Sequence, residues 1–202
     1  MKISYAVTVC NELTEVERLL TQLLTQKHSE DEVVVLYDNN GTKEVFDYLQ
    51  TVEGIKLVWD NFDGHFADWK NKLTALCTGD FIFQIDADEY LPDESIDLIH
   101  QILESNPEVD LYYVPRINTV SGLTEEHIQK WGWNVVNGRV NYPDYQTRIY
   151  RNNQEVKWRN KVHEVIEGHR QFTVLPAVDA LSLIHPKTIE RQERQNAYYD
   201  TL

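Results

Sequence analysis

The chain has 202 residues, 42% of them hydrophobic, which suits one domain with a substantial core. Its 19 Lys and Arg against 33 Asp and Glu leave a formal charge of −14, a balance that counts against gripping nucleic acid through its phosphates. No tract of about 18 apolar residues offers a membrane span.

The start, "MKISYAVTVC", lacks the long apolar region and small-residue cleavage site of a signal peptide and reads as a first strand, residues 3–9. "LTEVERLLTQLLTQK" follows, with Val16, Leu19, Leu20, Leu23 and Leu24 on one helical face, and Thr14 with Glu17 fits a capping box at its start. "EVVVLYD" (32–38) is a second strand, closed by the turn signal "DNNG". A helix near 43–52, a strand at 55–59, a helix near 66–78 and a strand at 80–86 complete an alternating series. That order predicts an α/β fold with a mostly parallel sheet, right-handed crossovers and helices on both faces.

Beyond a helix at 94–105 come strand-like runs near 110–117, 145–151, 162–166 and 172–184, predicting a partly antiparallel second half. Residues 118–144 show no clear period and read as a long loop. "RQERQNAYYDTL" at the end reads as a final amphipathic helix. The whole is one domain, 1–202, in two halves, 1–105 and 106–202. Cys10 and Cys77, the only cysteines, have no metal-binding spacing and point to reduced thiols in a cytoplasmic setting. Charge is uneven: residues 1–100 hold 7 basic and 20 acidic side chains, whereas 148–170 hold Arg148, Arg151, Lys157, Arg159, Lys161 and Arg170 against three acids.

Ligands of open α/β sheets bind beyond the carboxyl ends of the strands. Three predicted strands end there in polar residues: Cys10-Asn11-Glu12, Asp38-Asn39-Asn40 and Asp86-Ala87-Asp88. With fifteen aspartates in the chain, about one D-x-D pattern arises by chance, so placement is the signal. Asp86 and Asp88 fall on one side of the strand end and repel unless a cation lies beside them. A hard divalent ion, Mn²⁺ or Mg²⁺, meets that need and favours phosphate oxygens as further ligands. A polar strand exit, with Asp93 capping the next helix, is the competing reading. No glycine-rich phosphate loop accompanies the acids.

"AVTVCNE", "LYDNNG" and "FADWKNKLTALCTGDFIFQIDADE" together resemble the family 2 glycosyltransferases of the GT-A fold. "GWNVVNGRVNYPDYQTRIYRN" and "KWRNKVHEVIEG" are similar to the acceptor half of bacterial lipopolysaccharide-core glucosyltransferases. The resemblance spans essentially the whole chain, with 1–105 as the nucleotide-sugar half and 106–202 as the acceptor half. It implies a metal-dependent, inverting transfer of a sugar from a nucleotide-sugar, a UDP-sugar above others, to a saccharide or glycolipid hydroxyl. Glu12 and Asp38 match the positions that contact the nucleoside, beside Cys10, Asn11 and Asn40. Lys70-Asn71 stands where the family carries Arg-Asn, with the cation on the diphosphate. Asp86, with Ala87, faces the ribose, and Asp88 the metal. His163, Arg148 and Arg151 are placed near the phosphates, and His185 completes a metal or diphosphate site. Asp144 in "NYPDYQ" is the first choice for general base and Glu164 the second; the family's E-D pair is missing at "TEEH". Trp131 and Trp133 offer flat faces for an acceptor sugar.

Three other readings compete. A phage-type glycosyltransferase acting on hydroxymethylated DNA bases has only the basic stretch 148–170 in its favour. A sugar-nucleotide-binding protein without turnover is compatible with Lys70 and the missing E-D pair. A metal phosphohydrolase needs more ligands than one strand edge gathers. A lipid-linked acceptor brings peripheral contact with the inner face of a membrane, through the same basic stretch.

Overall fold

The structure, a computed structural model, describes residues 1–199. Its first half is β1 (Ile3–Val9), α1 (Leu13–Gln26), β2 (Glu32–Asp38), α2 (Lys43–Thr51), β3 (Ile55–Asp60), α3 (Phe66–Thr74), β4 (Phe81–Asp86) and α4 (Ser95–Ser105). The second half is β5 (Leu111–Ser121), α5 (Glu125–Trp131), β6 (Val135–Val136), β7 (Arg139–Arg151), β8 (Lys157–Arg159), β9 (Val165–Glu167), β10 (Phe172–Val174), a 3₁₀ turn (Asp179–Leu181), β11 (Leu183–Thr188) and α6 (Ile189–Tyr199).

The β-branched runs behave as the pattern predicts. β1 lies between β2 and β4, all parallel, with β3 outside β2. Strands buried on both faces read as continuous apolar runs, and here each face has its own core. Ile3, Tyr5 and Val7 pack with Leu19 and Leu23 of α1 and Ile96 and Ile99 of α4. Ala6, Leu36 and Ile82 face Leu73 of α3, Tyr150 and Trp158. β7 then enters antiparallel between β4 and β5, while β10 and β11 both run parallel to β5. β8 and β9 form a separate two-stranded sheet.

Several local expectations are corrected. α1 begins at Leu13 with Glu12 at its cap, and the Thr14–Glu17 capping box does not form. Asp93 does not cap α4: Glu94 holds that position, and Asp93 accepts from the Gln26 amide at 3.0 Å. α3 stops at Thr74 rather than near 78. The aperiodic stretch 118–144 is not a loop; it contains the end of β5, all of α5 and the first half of β7. The run 172–184 divides into β10, the 3₁₀ turn and the start of β11. The amphipathic end is helical through Tyr199, and its last three residues lie outside those described.

Candidate active site

The carboxyl ends of β1, β2 and β4 open into a cavity of about 1340 Å³, walled opposite by β7, the turn before β9, β11 and α6. Cys10, Asn11, Glu12, Asp38, Lys70, Asp86, Ala87, Asp88, Trp133, Arg148, His163, Glu164 and His185 all line it. Three strand ends and the elements facing them thus bring together residues scattered along the chain.

At the β1–β2 end, the carboxylates shape backbone. Glu12 accepts from the Cys10 and Asn11 amides, both at 3.0 Å, so it tightens the turn into α1. One oxygen of Asp38 accepts from the Asn40 amide and side chain at 3.0 Å and the Phe62 amide at 3.1 Å. Its other oxygen accepts from the Cys10 thiol at 3.8 Å. Burial, and then the Asp38 charge, push that thiol up to about 12, so Cys10 is a neutral wall rather than a nucleophile. Gly41 is forced: a Cβ there would stand 2.0 Å from the Cys10 carbonyl oxygen. Asn40 itself braces Asp38 and does not line the cavity.

At the end of β4, the acids are not left facing one another. Asp86 accepts from Arg148 at 2.6 Å, and fully buried Glu89 accepts from Arg148 at 2.7 Å and Arg116 at 3.1 Å. The second Glu89 oxygen accepts from the Asp86 amide at 3.1 Å, so Glu89 holds the loop. Burial opposes ionisation of Asp86, but the Arg148 charge, then Lys70, outweigh it and hold its carboxyl well below the usual range. The cation demanded by this pair of acids is therefore met at Asp86 by a guanidinium.

Asp88 has a different set of neighbours. A two-way backbone bridge between Tyr90 and Ile184 brings β11 alongside, and places His185 Nε2 3.1 Å from Asp88. His185 Nδ1 lies 2.7 Å from Asn118 Oδ1, whose own amide group donates to Asp144 at 2.8 Å. With the amide so oriented, Nδ1 carries the proton and Nε2 is turned, lone pair first, toward a carboxylate. Two such atoms face each other comfortably around a shared cation, and a histidine locked through its other nitrogen is the usual arrangement of a metal ligand. Burial works to raise the Asp88 carboxyl and the Arg191 charge works to lower it. Arg191 of α6 reaches the same oxygen at 3.1 Å, and also Glu15 at 3.2 Å. Asp88 and His185, with the free oxygen of Asp86, fit a divalent ion such as Mn²⁺ or Mg²⁺ that takes its other ligands from phosphate.

Asp144, the first choice for general base, is unsuited to it. Its carboxylate accepts from Arg116 at 2.7 and 3.0 Å, Asn118 at 2.8 Å and Gln146 at 2.8 Å, and it does not line the cavity. Burial would raise its pKa, yet the Arg116 charge and the Asn118 bond lower it. Three donors converge on one of its oxygens and Gln146 takes the other, so Asp144 anchors Arg116 and the Asn118–His185 relay.

Lys70 is almost buried, lies 4.4 Å above the Trp158 ring and pairs with Glu164 at 2.5 Å. Its neighbour Asn71 turns the other way, exchanging both amide groups with the Trp158 backbone at 2.9 and 3.0 Å, and is a clamp rather than a ligand contact. Arg151 is also displaced. It pairs with Phe81 at the amino end of β4 and binds Asp110 at 2.8 Å, at the opposite end of the sheet from the cavity. His163, exposed at φ 54°, adopts the left-handed conformation at the cavity rim. Trp133 lines the cavity and Trp131 stands behind it, ring centroids 4.7 Å apart. The sequence reading missed Arg116, Asn118, Lys187 and Arg191. Arg116, a lone cation inside the strand-like run 110–117, was the one visible signal among them.

The sequence profile described as Glycosyl transferase family 2 matches residues 4–174. The chain belongs to that family. A TPR repeat-containing protein of Synechococcus elongatus is 26% identical over 162 residues, covering 80% of this chain and 35% of its own length. The S. aureus TarS 1–349 structure in complex with UDP-GlcNAc superposes with TM-score 0.65 and 18% identity, over 93% of this chain and 59% of that one. The complex of the same fragment with UDP gives 0.66 and 18%, over 92% and 60%. This chain thus spans well under two thirds of these relatives, and it shares with TarS the GT-A fold.

Proposed function

We propose that this family 2 domain transfers a sugar from a UDP-sugar, with Mn²⁺ or Mg²⁺, to a saccharide or glycolipid hydroxyl, inverting the anomeric centre. The observation that carries the proposal is the Asp88–His185 pair, oriented through Asn118, beside Asp86 and Lys70 at the carboxyl edge of a parallel sheet. The TarS structures with UDP and UDP-GlcNAc support the choice of nucleotide. Cys10, Asn11, Glu12 and Asp38 form the nucleoside end and Asp86 meets the ribose. Asp88 and His185 would hold the metal, which would supply positive charge against the departing diphosphate. His163 and Lys70 flank the phosphates.

The Lys70–Glu164 pair gives the base. An incoming diphosphate competes for the Lys70 ammonium and frees a Glu164 oxygen in the cavity. The acceptor oxygen attacks the anomeric carbon, its proton passes to Glu164, and the bond to the β-phosphate oxygen breaks with its electrons leaving on UDP. Trp133 offers a flat face to the acceptor sugar. Against the DNA-base reading, Arg148 and Arg151 of the basic stretch are bound to Asp86 and Asp110 rather than offered to a phosphate backbone. Among the described residues, no helix is long and apolar enough to cross a membrane.

The test is calorimetric titration of UDP, with GDP and CMP as comparators, in Mn²⁺ and then EDTA. UDP binding that needs Mn²⁺ and is lost in Asp88→Ala is expected. Failure of any nucleotide to bind with metal present would sink the reading.

A further inference from the structure

At the amino ends of the parallel strands, remote from the donor cavity, three elements converge on one point. Asp31, just before β2, is buried; it accepts from the Ile3 amide at 2.8 Å and the His28 amide at 3.1 Å. His100, on the inner face of α4, is also buried and places Nε2 2.8 Å from the second Asp31 oxygen. His28, at the end of α1, stacks on His100 with ring centroids 3.8 Å apart and planes 13° from parallel. Its Nε2 lies 2.8 Å from Asp97 on the first turn of α4. A nitrogen of each ring and an oxygen of Asp31 all lie within 4.8 Å of one another.

This is a costly arrangement for a fold to keep without a ligand. Two imidazoles at stacking distance, each facing a carboxylate, repel if both are protonated and leave two carboxylates poorly neutralised if they are not. Beneath them the Tyr5 hydroxyl is fully buried and has no hydrogen-bond partner among the described residues. Burial first, then the charges of Asp31 and Asp97, push its pKa up, which sets it close to the same two acids. A buried polar atom without a partner calls for an explanation, such as an ion or the water an ion carries.

We infer that His28, Asp31 and His100 form a second metal site, with Asp97 as fourth ligand, for a borderline transition ion of the Zn²⁺ or Co²⁺ class. Two imidazole nitrogens and one or two carboxylate oxygens match that class, and not the all-oxygen shell of Mg²⁺. Because the rings are stacked, their in-plane lone pairs run nearly parallel, so His28 must swing out of the stack as its nitrogen closes on an ion at tetrahedral bond lengths of roughly 2.0–2.1 Å. Exposed His28 and Asp97 supply that movement, while buried Asp31 and His100 provide the fixed half. The ion would tie α1, α4 and the start of β2 together. It takes no part in transfer, so the site stands whether or not the donor reading does.

The experiment is titration of the metal-stripped chain with Co²⁺, followed by visible absorption, and with Zn²⁺, followed by calorimetry. His28→Gln is the main variant because its side chain is exposed; Asp88→Asn removes the donor-side ligand as a control. One tetrahedral Co²⁺ with its intense spectrum is expected at this site, besides any ion the donor cavity takes, and that spectrum should be at least 10-fold weaker in His28→Gln and unchanged in Asp88→Asn. Circular dichroism confirms that both variants fold. Absence of saturable binding in the unaltered chain, or binding that His28→Gln leaves intact, overturns the assignment.

Discussion

Asp144 shows how a single carboxylate changes meaning with its neighbours. A base must offer a lone pair to the acceptor hydroxyl, and every strong donor around Asp144 already takes one. Glu164 pairs with Lys70, and Lys70 is the group a diphosphate attracts. The two residues therefore make separable predictions. Asp144→Asn loosens Arg116 and the Asn118–His185 relay, so Mn²⁺-dependent UDP affinity and turnover fall together, by ~10–100-fold. Glu164→Gln lowers turnover by ~10²–10⁴-fold while UDP binds at least as tightly as before, because Lys70 no longer has to leave a carboxylate. Single-turnover rates measured alongside UDP calorimetry separate them. Intact UDP affinity in Asp144→Asn with abolished turnover would return the base to Asp144.

At the scale of elements, the first half was legible because its strands are buried on both faces. β1 and β2 begin and end where the β-branched runs do, and α1 carries its Val16–Leu23 stripe inward. β7 was hidden for the opposite reason. Its first half borders the cavity and turns the polar Asn141 toward it, so no run of apolar residues marks it. The partners of the D-x-D acids were equally invisible: Arg148 meets Asp86 across 62 residues and Arg116 meets Glu89 across 27, separations that leave no local pattern. Function in this half is written as polar residues on strands, which is what a periodicity reading discards. The α3–β8 clamp is a case in point, since Lys70-Asn71 was read as one phosphate-binding pair. Asn71→Ala removes two hydrogen bonds to the Trp158 backbone and is expected to cost about 2 kcal/mol. For a chain of this size that corresponds to a fall of about 4–8 °C in Tm by calorimetry. UDP affinity should hardly move, whereas a direct phosphate contact predicts the reverse.

For the whole molecule, the −14 charge makes acid the natural stress, and the structure decides its sign. Glu32 stitches the β1 and β4 ends together: it accepts from Ser4 at 2.6 Å and from the Thr78 amide at 2.5 Å. Burial works against its ionisation, but the Ser4 and Thr78 bonds prevail and bring its pKa from 4.5 to about 2. Asp110, which joins Arg151 of β7 to the Arg170 amide, is also lowered once burial is outweighed. A carboxyl depressed on folding contributes stability that is complete above its unfolded pKa and is lost as pH falls through its folded one. Relief of the net negative charge near the pI of 4.8 acts in the other direction, but over a higher and separate range of pH. Tm should therefore hold or rise slightly from pH 7 toward 5, then drop between about 4.5 and 2. In Glu32→Gln the neutral-pH Tm should be lower and the acid slope shallower, because one of the groups that takes up a proton on unfolding is gone. Thermal melts of both proteins across that range decide it, and parallel acid limbs would show that the depressed carboxylate at the β1–β4 seam is not what acid attacks.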